Sequence, residues 1–124
     1  MKGLTEAQIS AKIARRLGAL PNLLLMRNNN GVLEDKTGRP VKYGLGVGTP
    51  DFVGILKVTL GGIQVGVWVG FEVKRPDTKL REEQRKSHEL WEKFGAQVFT
   101  VRSEDEAEEA YLSLARKFGG FNVC

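Results

Sequence analysis

Apolar positions change period several times along the chain, and each change marks a different element. Ile9, Ile13 and Leu17 recur at helical spacing and share one face. Thr5 and Gln8 stand ahead of them at the spacing of a capping box, so a helix is expected to begin at Thr5 and to stop at Gly18 or Pro21. Leu23-Leu24-Leu25-Met26 is a short apolar run that fits a buried strand. From Arg27 to Pro50 the pattern turns polar and glycine-rich, with Asn28-Asn29-Asn30-Gly31, Thr37-Gly38 and Gly44, Gly46 and Gly48. This stretch is expected to be a long loop, the kind of segment that carries function in a compact domain.

Two strands follow, over about 51–59 and 64–74, with Gly61-Gly62 between them as a tight hairpin turn. In the second strand Val65, Val67, Val69, Phe71 and Val73 fall on one parity, and Gln64, Gly66, Trp68, Gly70, Glu72 and Lys74 on the other. Glu72 and Lys74 therefore face the same side of the sheet. Pro76 stops that strand. A helix is expected over about 79–94, with Leu80, Gln84, Ser87, Trp91 and Phe94 on its inward stripe. Ala96 to Arg102 reads as a further strand anchored by Val98 and Val101. Ser103 and Glu106 form a second capping-box pattern, opening a last helix that runs to about Phe118 and stops at Gly119-Gly120. The order is α-β-β-β-α-β-α. There are no repeats and no linker, so residues 1–124 are read as one domain.

Composition narrows the chemistry. Apolar residues make up 41% and charged residues 27%, a balance that suits a globular chain. The formal net charge of +4 and a pI near 9.4 are compatible with a polyanionic partner. One Cys, Cys124, and one His, His88, exclude an intramolecular disulfide, a Cys-rich zinc site and a multi-His metal site. A catalytic metal would need oxygen ligands, which points to Mg²⁺, Mn²⁺ or Ca²⁺. The N-terminal MKGLTEAQISAK lacks an apolar signal core, and no apolar run is long enough to span a membrane. The expected setting is the cytoplasm.

Pro50-Asp51, read alone, is an ordinary turn pair. Glu72 stands out because it sits among Val, Trp and Phe in a central strand, where an unpaired carboxylate is costly. Lys74 could be simply its ion-pair partner. Counting outward from Gly61-Gly62 places Asp51 close to opposite Glu72 across the hairpin. Two acids so placed, with a Lys two residues on, match what phosphodiester cleavage needs. A divalent cation neutralises the phosphate and acidifies its bound water, and a Lys orients water or stabilises charge. The backbone carbonyl of Val73 is expected to add a third metal oxygen. His88, alone on a charged helix, reads as structural or exposed, and Trp68 and Trp91 read as core.

The set Gly48-Thr49-Pro50-Asp51-Phe52, Phe71-Glu72-Val73-Lys74, Gln84 and Trp91 resembles the PD-(D/E)XK nuclease superfamily and, more narrowly, its VRR-NUC (virus-type replication-repair nuclease) family. The resemblance spans Thr5 to about Val101. It implies an α/β (α+β) fold: an αβββαβ core with a C-terminal helix and a central mixed sheet flanked by helices. It implies a Mg²⁺-dependent DNA endonuclease, with Mn²⁺ as substitute, acting on branched or junction DNA in replication or repair. Asp51 and Glu72 would hold the metal, Lys74 would be the catalytic lysine and Gln84 a supporting polar group. Glu6 would be the acid contributed by the first helix. Short stand-alone members, typical of phages and bacteria, pair into homodimers.

DNA contact is expected along the long loop, from Arg27, Asn28, Asn30, Lys36, Arg39 and Lys42, with Arg75, Lys79 and Arg81 adding charge beside the acids. One alternative is a non-catalytic DNA-binding or assembly module that keeps the nuclease fold. Another is an RNA-processing endonuclease of the splicing type, which would centre on a His without metal.

Overall fold

A computed structural model describes residues 3–118; the Gly119-Gly120 helix stop and Cys124 lie outside the described residues. Helix α1 (Glu6–Gly18) begins with the capping box read from sequence. The Thr5 hydroxyl accepts from the Gln8 N–H, and the Gln8 side chain accepts from the Thr5 N–H. Strand β1 (Leu23–Arg27) follows. The expected loop then departs from the sequence reading, because it contains a separate two-stranded hairpin, β2 (Gly31–Glu34) and β3 (Pro40–Tyr43). Its turn is fastened by Asp35, whose carboxylate accepts from Thr37 and from the Arg39 N–H.

Strands β4 (Phe52–Leu60) and β5 (Ile63–Val73) form the long hairpin around Gly61-Gly62. Both turn glycines have positive φ, +57° and +81°, as a two-residue hairpin turn with the twist of its strands requires. Helix α2 (Glu82–Lys93) starts about three residues later than the apolar stripe suggested. Strand β6 (Gln97–Val101) and helix α3 (Glu104–Lys117) complete the domain, α3 being capped by the Ser103 hydroxyl. The main sheet has the order β1-β4-β5-β6; its pairings are antiparallel except β5 with β6, which is parallel.

The period-2 alternation of β5 divides the molecule. Val69, Phe71 and Val73 face α1 and α3 and join Ile9, Ile13, Leu17, Leu56, Tyr111 and Leu114 in the core. Each such side chain, fully buried, contributes about 1.5–3 kcal/mol of transfer free energy. The other parity, Trp68, Gly70 and Glu72, faces α2. Gly70 is required there, since a Cβ would lie 2.7 Å from the Pro50 ring. Trp91 closes on the same spot and packs on Trp68, ring centroids 5.9 Å apart. The two tryptophans thus form a partly exposed pair on the α2 side of the sheet instead of joining the core. Phe94, read as inward, is 85% exposed, because α2 ends before it and the chain turns away at Gly95.

Candidate active site

The register of the long hairpin decides the geometry. Phe52 pairs with Phe71, so the next position outward sets Asp51 opposite Glu72. The Asp51 backbone is fixed on one side by the Asn28 N–H, which donates to its carbonyl at 2.8 Å. Its side chain is fixed on the other, where the Val73 N–H donates to Asp51 Oδ2 at 2.7 Å. Glu72 is only 2% exposed. Burial raises its pKa to about 9, a hydrogen bond to Asp51 and the Asp51 charge push the same way, the Lys74 cation opposes them, and Glu6 adds a smaller upward push. The two carboxyl groups are thus close enough to share a proton, as acids forced together in a low-dielectric pocket do. Lys74 is buried on the same face, and its backbone N–H donates to the Val101 carbonyl.

These acids form the floor of an open cavity of about 750 Å³ whose walls come from four parts of the chain. One wall is Asn28 to Val32, a second is Lys42 and Tyr43 of the small hairpin, a third is the glycine loop 46–49, and the fourth is Arg81 and Gln84 at the start of α2. The glycine loop runs against α2. At Gly48, φ is +82° and a Cβ would sit 2.3 Å from the Glu83 carbonyl oxygen, so no other residue fits.

The sequence-read residues separate into groups. Asp51, Glu72 and Gln84 line the cavity together. Gln84 is buried, and its Oε1 accepts from the Arg81 N–H at 2.9 Å, which caps α2 while keeping the amide at the cavity wall. Glu6 is exposed; its charge is felt at Glu72, yet among the described residues no group of three or more His, Cys, Asp or Glu is arranged to hold a metal. At Val73 the side chain is in the core and the N–H serves Asp51. Asn28 and Asn30 line the cavity but spend their side chains on the protein. Asn28 bonds Thr49, the Pro50 carbonyl and the Leu45 N–H, and Asn30 bonds Thr49 and the Gly46 N–H. They lash the glycine loop to the segment that follows β1. Arg27 stacks over Phe52, 5.4 Å from the ring centroid, and bonds Asn29. Lys42 reaches the cavity; Lys36 and Arg39 belong to the exposed turn of the small hairpin. Arg75 lies apart, beside a smaller pocket with Lys12 and Arg102.

One neighbour of the acids was passed over in the sequence. His88 is buried on α2, with Nε2 3.3 Å from Glu72 Oε1. Burial lowers its pKa, the Glu92 and Asp51 charges oppose that, and Lys74 reinforces it. Its place four residues after Gln84 on the sheet-facing stripe is the signal that could have found it.

A hard divalent cation suits this donor set. Two carboxylates are held side by side with one of them buried, and most of the remaining space is open to water, as Mg²⁺ prefers.

No family model matches the sequence, and no curated protein does. Among solved structures, the chain is similar to one described as "VRR_NUC domain", at 28% identity and a TM-score of 0.55, over 86% of this chain and 94% of that one. It shares its fold with another described as "VRR_NUC domain protein", at 17% identity and a TM-score of 0.57, over 98% of this chain and 96% of that one. In both, the match extends over most of the sheet and helices described above.

Proposed function

We propose, from its similarity to a solved VRR_NUC domain over most of both chains, that this chain is a VRR-NUC-type nuclease that hydrolyses DNA phosphodiester bonds with a divalent cation, Mg²⁺ or in its place Mn²⁺. The observation that carries the reading is the pairing of Asp51 with buried Glu72 across the hairpin at the floor of an open cavity, with Lys74 buried two residues on along the chain.

Asp51 and Glu72 would hold the cation, with the Val73 carbonyl as a third oxygen, and Glu6, whose charge is felt at Glu72, would act on it at longer range. When bound, the cation neutralises phosphate charge and lowers the pKa of a coordinated water. The protein's own groups do the rest. The Val73 N–H holds the Asp51 carboxylate in one orientation. Lys74, buried and near enough for its charge to be felt at both Glu72 and His88, would stabilise charge developing on the phosphate. Gln84 offers its amide nitrogen to water or phosphate while its oxygen caps α2. Lys42 and Arg81 at the walls supply cations for flanking phosphates. With the wall cations addressing phosphates, selection by DNA shape, including branched DNA, is the expected mode, and pairing of two copies would place two such sites at a fixed separation.

The test is cleavage of linear, nicked, flapped and four-way DNA by wild type, Asp51→Asn and Lys74→Ala, with and without Mg²⁺. Each variant should lose about 100-fold or more in rate. Wild-type cleavage by either variant refutes the mechanism. Salt-sensitive DNA binding with no turnover by the wild type would support a non-catalytic module instead.

A further inference from the structure

Glu72 is held from two sides, and only one of them is the hairpin. The Asp51 carboxyl meets it across the strands. From the opposite layer α2 presents His88, whose Nε2 lies 3.3 Å from Glu72 Oε1. Both groups are buried, His88 at 6% and Glu72 at 2% exposure. His88 does not line the cavity that Asp51, Glu72 and Gln84 share. It stands behind Glu72, one helical turn beyond Gln84, and α2 itself is seated by Trp91 against Gly70 and Pro50.

We propose that His88 is a positioning residue: its Nε2–H donates to Glu72 Oε1 and turns the other carboxylate oxygen toward Asp51 and the cavity. The inference rests on the nuclease reading above for what Glu72 does, but not for the contact itself. A neutral imidazole carries one N–H, so the contact requires the Nε2–H tautomer. A Glu side chain has several rotatable bonds, and one partner at Asp51 leaves its second oxygen free to swing. A donor fixed to a helix removes that freedom. Hydrogen bonds of this kind, made behind a metal-binding carboxylate, govern affinity for the ion by about 10- to 100-fold when lost. The same contact explains why a polar ring is tolerated between α2 and the sheet, where an apolar residue would pack without cost.

The chain has a single histidine, which makes the contact directly observable. Protein labelled with ¹⁵N-histidine gives one imidazole spectrum, and the Nε2–H tautomer is expected without any cation or DNA. His88→Met fills similar space without a donor, and His88→Gln can return an N–H toward Glu72. Calorimetric titration with Mn²⁺ should show affinity reduced about tenfold or more in His88→Met and restored to within about threefold of wild type in His88→Gln. On DNA, the loss should fall on kcat, with KM for DNA unchanged. The Nδ1–H tautomer overturns the inference. So does Mn²⁺ affinity of His88→Met equal to wild type, or a His88→Gln no better than His88→Met, which would reduce the residue to packing. Failure of the nuclease reading shows differently: wild type cuts no DNA, while the tautomer and the Mn²⁺ series still decide His88.

Discussion

Glu72 couples the site to folding through its proton. Its pKa in the fold, about 9, stands far above the value of 4.5 for an unperturbed Glu. Between those values the unfolded chain has released this proton and the folded chain keeps it, so its contribution to stability is full below about pH 4.5 and is lost as pH rises toward 9. His88 acts in the opposite direction. Its lowered pKa means that acid costs stability as pH falls below 6.5, when the unfolded ring charges first. Of these two effects, that of Glu72 is the one that operates above pH 7. In cation-free buffer, the melting temperature of wild type should therefore fall from pH 7 to pH 9, and Glu72→Gln should flatten that fall and melt higher at pH 8.5. Added Mg²⁺ should raise the wild-type melting temperature at that pH and leave Glu72→Gln nearly unmoved. A wild-type profile parallel to that of the variant would refute the buried-acid account. At this scale Asp51, Glu72 and Lys74 were legible in the sequence because strand parity and turn counting are local rules. The inward turn of His88 was marked only by its place four residues after Gln84, a signal outweighed by the Glu, Lys and Arg around it.

Elements differ in how tightly they are tied to the acids, and two glycines measure the difference. Gly48 and Gly61 both have positive φ, but a Cβ at Gly48 runs into the Glu83 carbonyl, while at Gly61 it meets nothing. Gly61→Ala should cost about 1–2 kcal/mol in urea unfolding, the backbone strain alone, with cleavage unchanged. Gly48→Ala must push the loop away from α2, and with it Pro50 and Asp51. It should cost more than the Gly61 variant and reduce cleavage at least tenfold, about 1.4 kcal/mol of barrier. Equal effects of the two substitutions on cleavage would show that the loop does not set Asp51. The long hairpin, α1 and the capped α3 were readable because apolar period, turn residues and caps agreed there. The β2–β3 hairpin was hidden: its strands are four residues each, mostly exposed, and preceded by three asparagines that read as loop. Two of them, Asn28 and Asn30, are loop fasteners, which composition alone does not distinguish from ligand contacts.

Seen as a whole, the molecule uses its small hairpin as one wall of the cavity, with Lys36, Arg39 and Lys42 carried by that hairpin and its turn. If DNA lies along this surface, each of these cations that meets a phosphate displaces about one counterion. Replacing all three by Ala should weaken DNA binding, lower the slope of log affinity against log salt by up to about 3, and spare kcat at saturating DNA. An unchanged salt slope would move the DNA path elsewhere on a chain whose net charge is only +4. The mixed sheet and its helical layers followed from the sequence; the path of a partner across the surface does not, since exposed charges leave no periodic trace.

The β4–β5 hairpin keeps its turn and its chemistry at opposite ends. Gly61-Gly62 stands about ten residues of strand from Asp51 and Glu72, roughly 30 Å at the rise of an extended chain. That distance makes the tip a natural point of attachment: a dye, a surface tether or a grafted peptide joined there would ride on the sheet and report on the protein while staying clear of whatever enters the cavity.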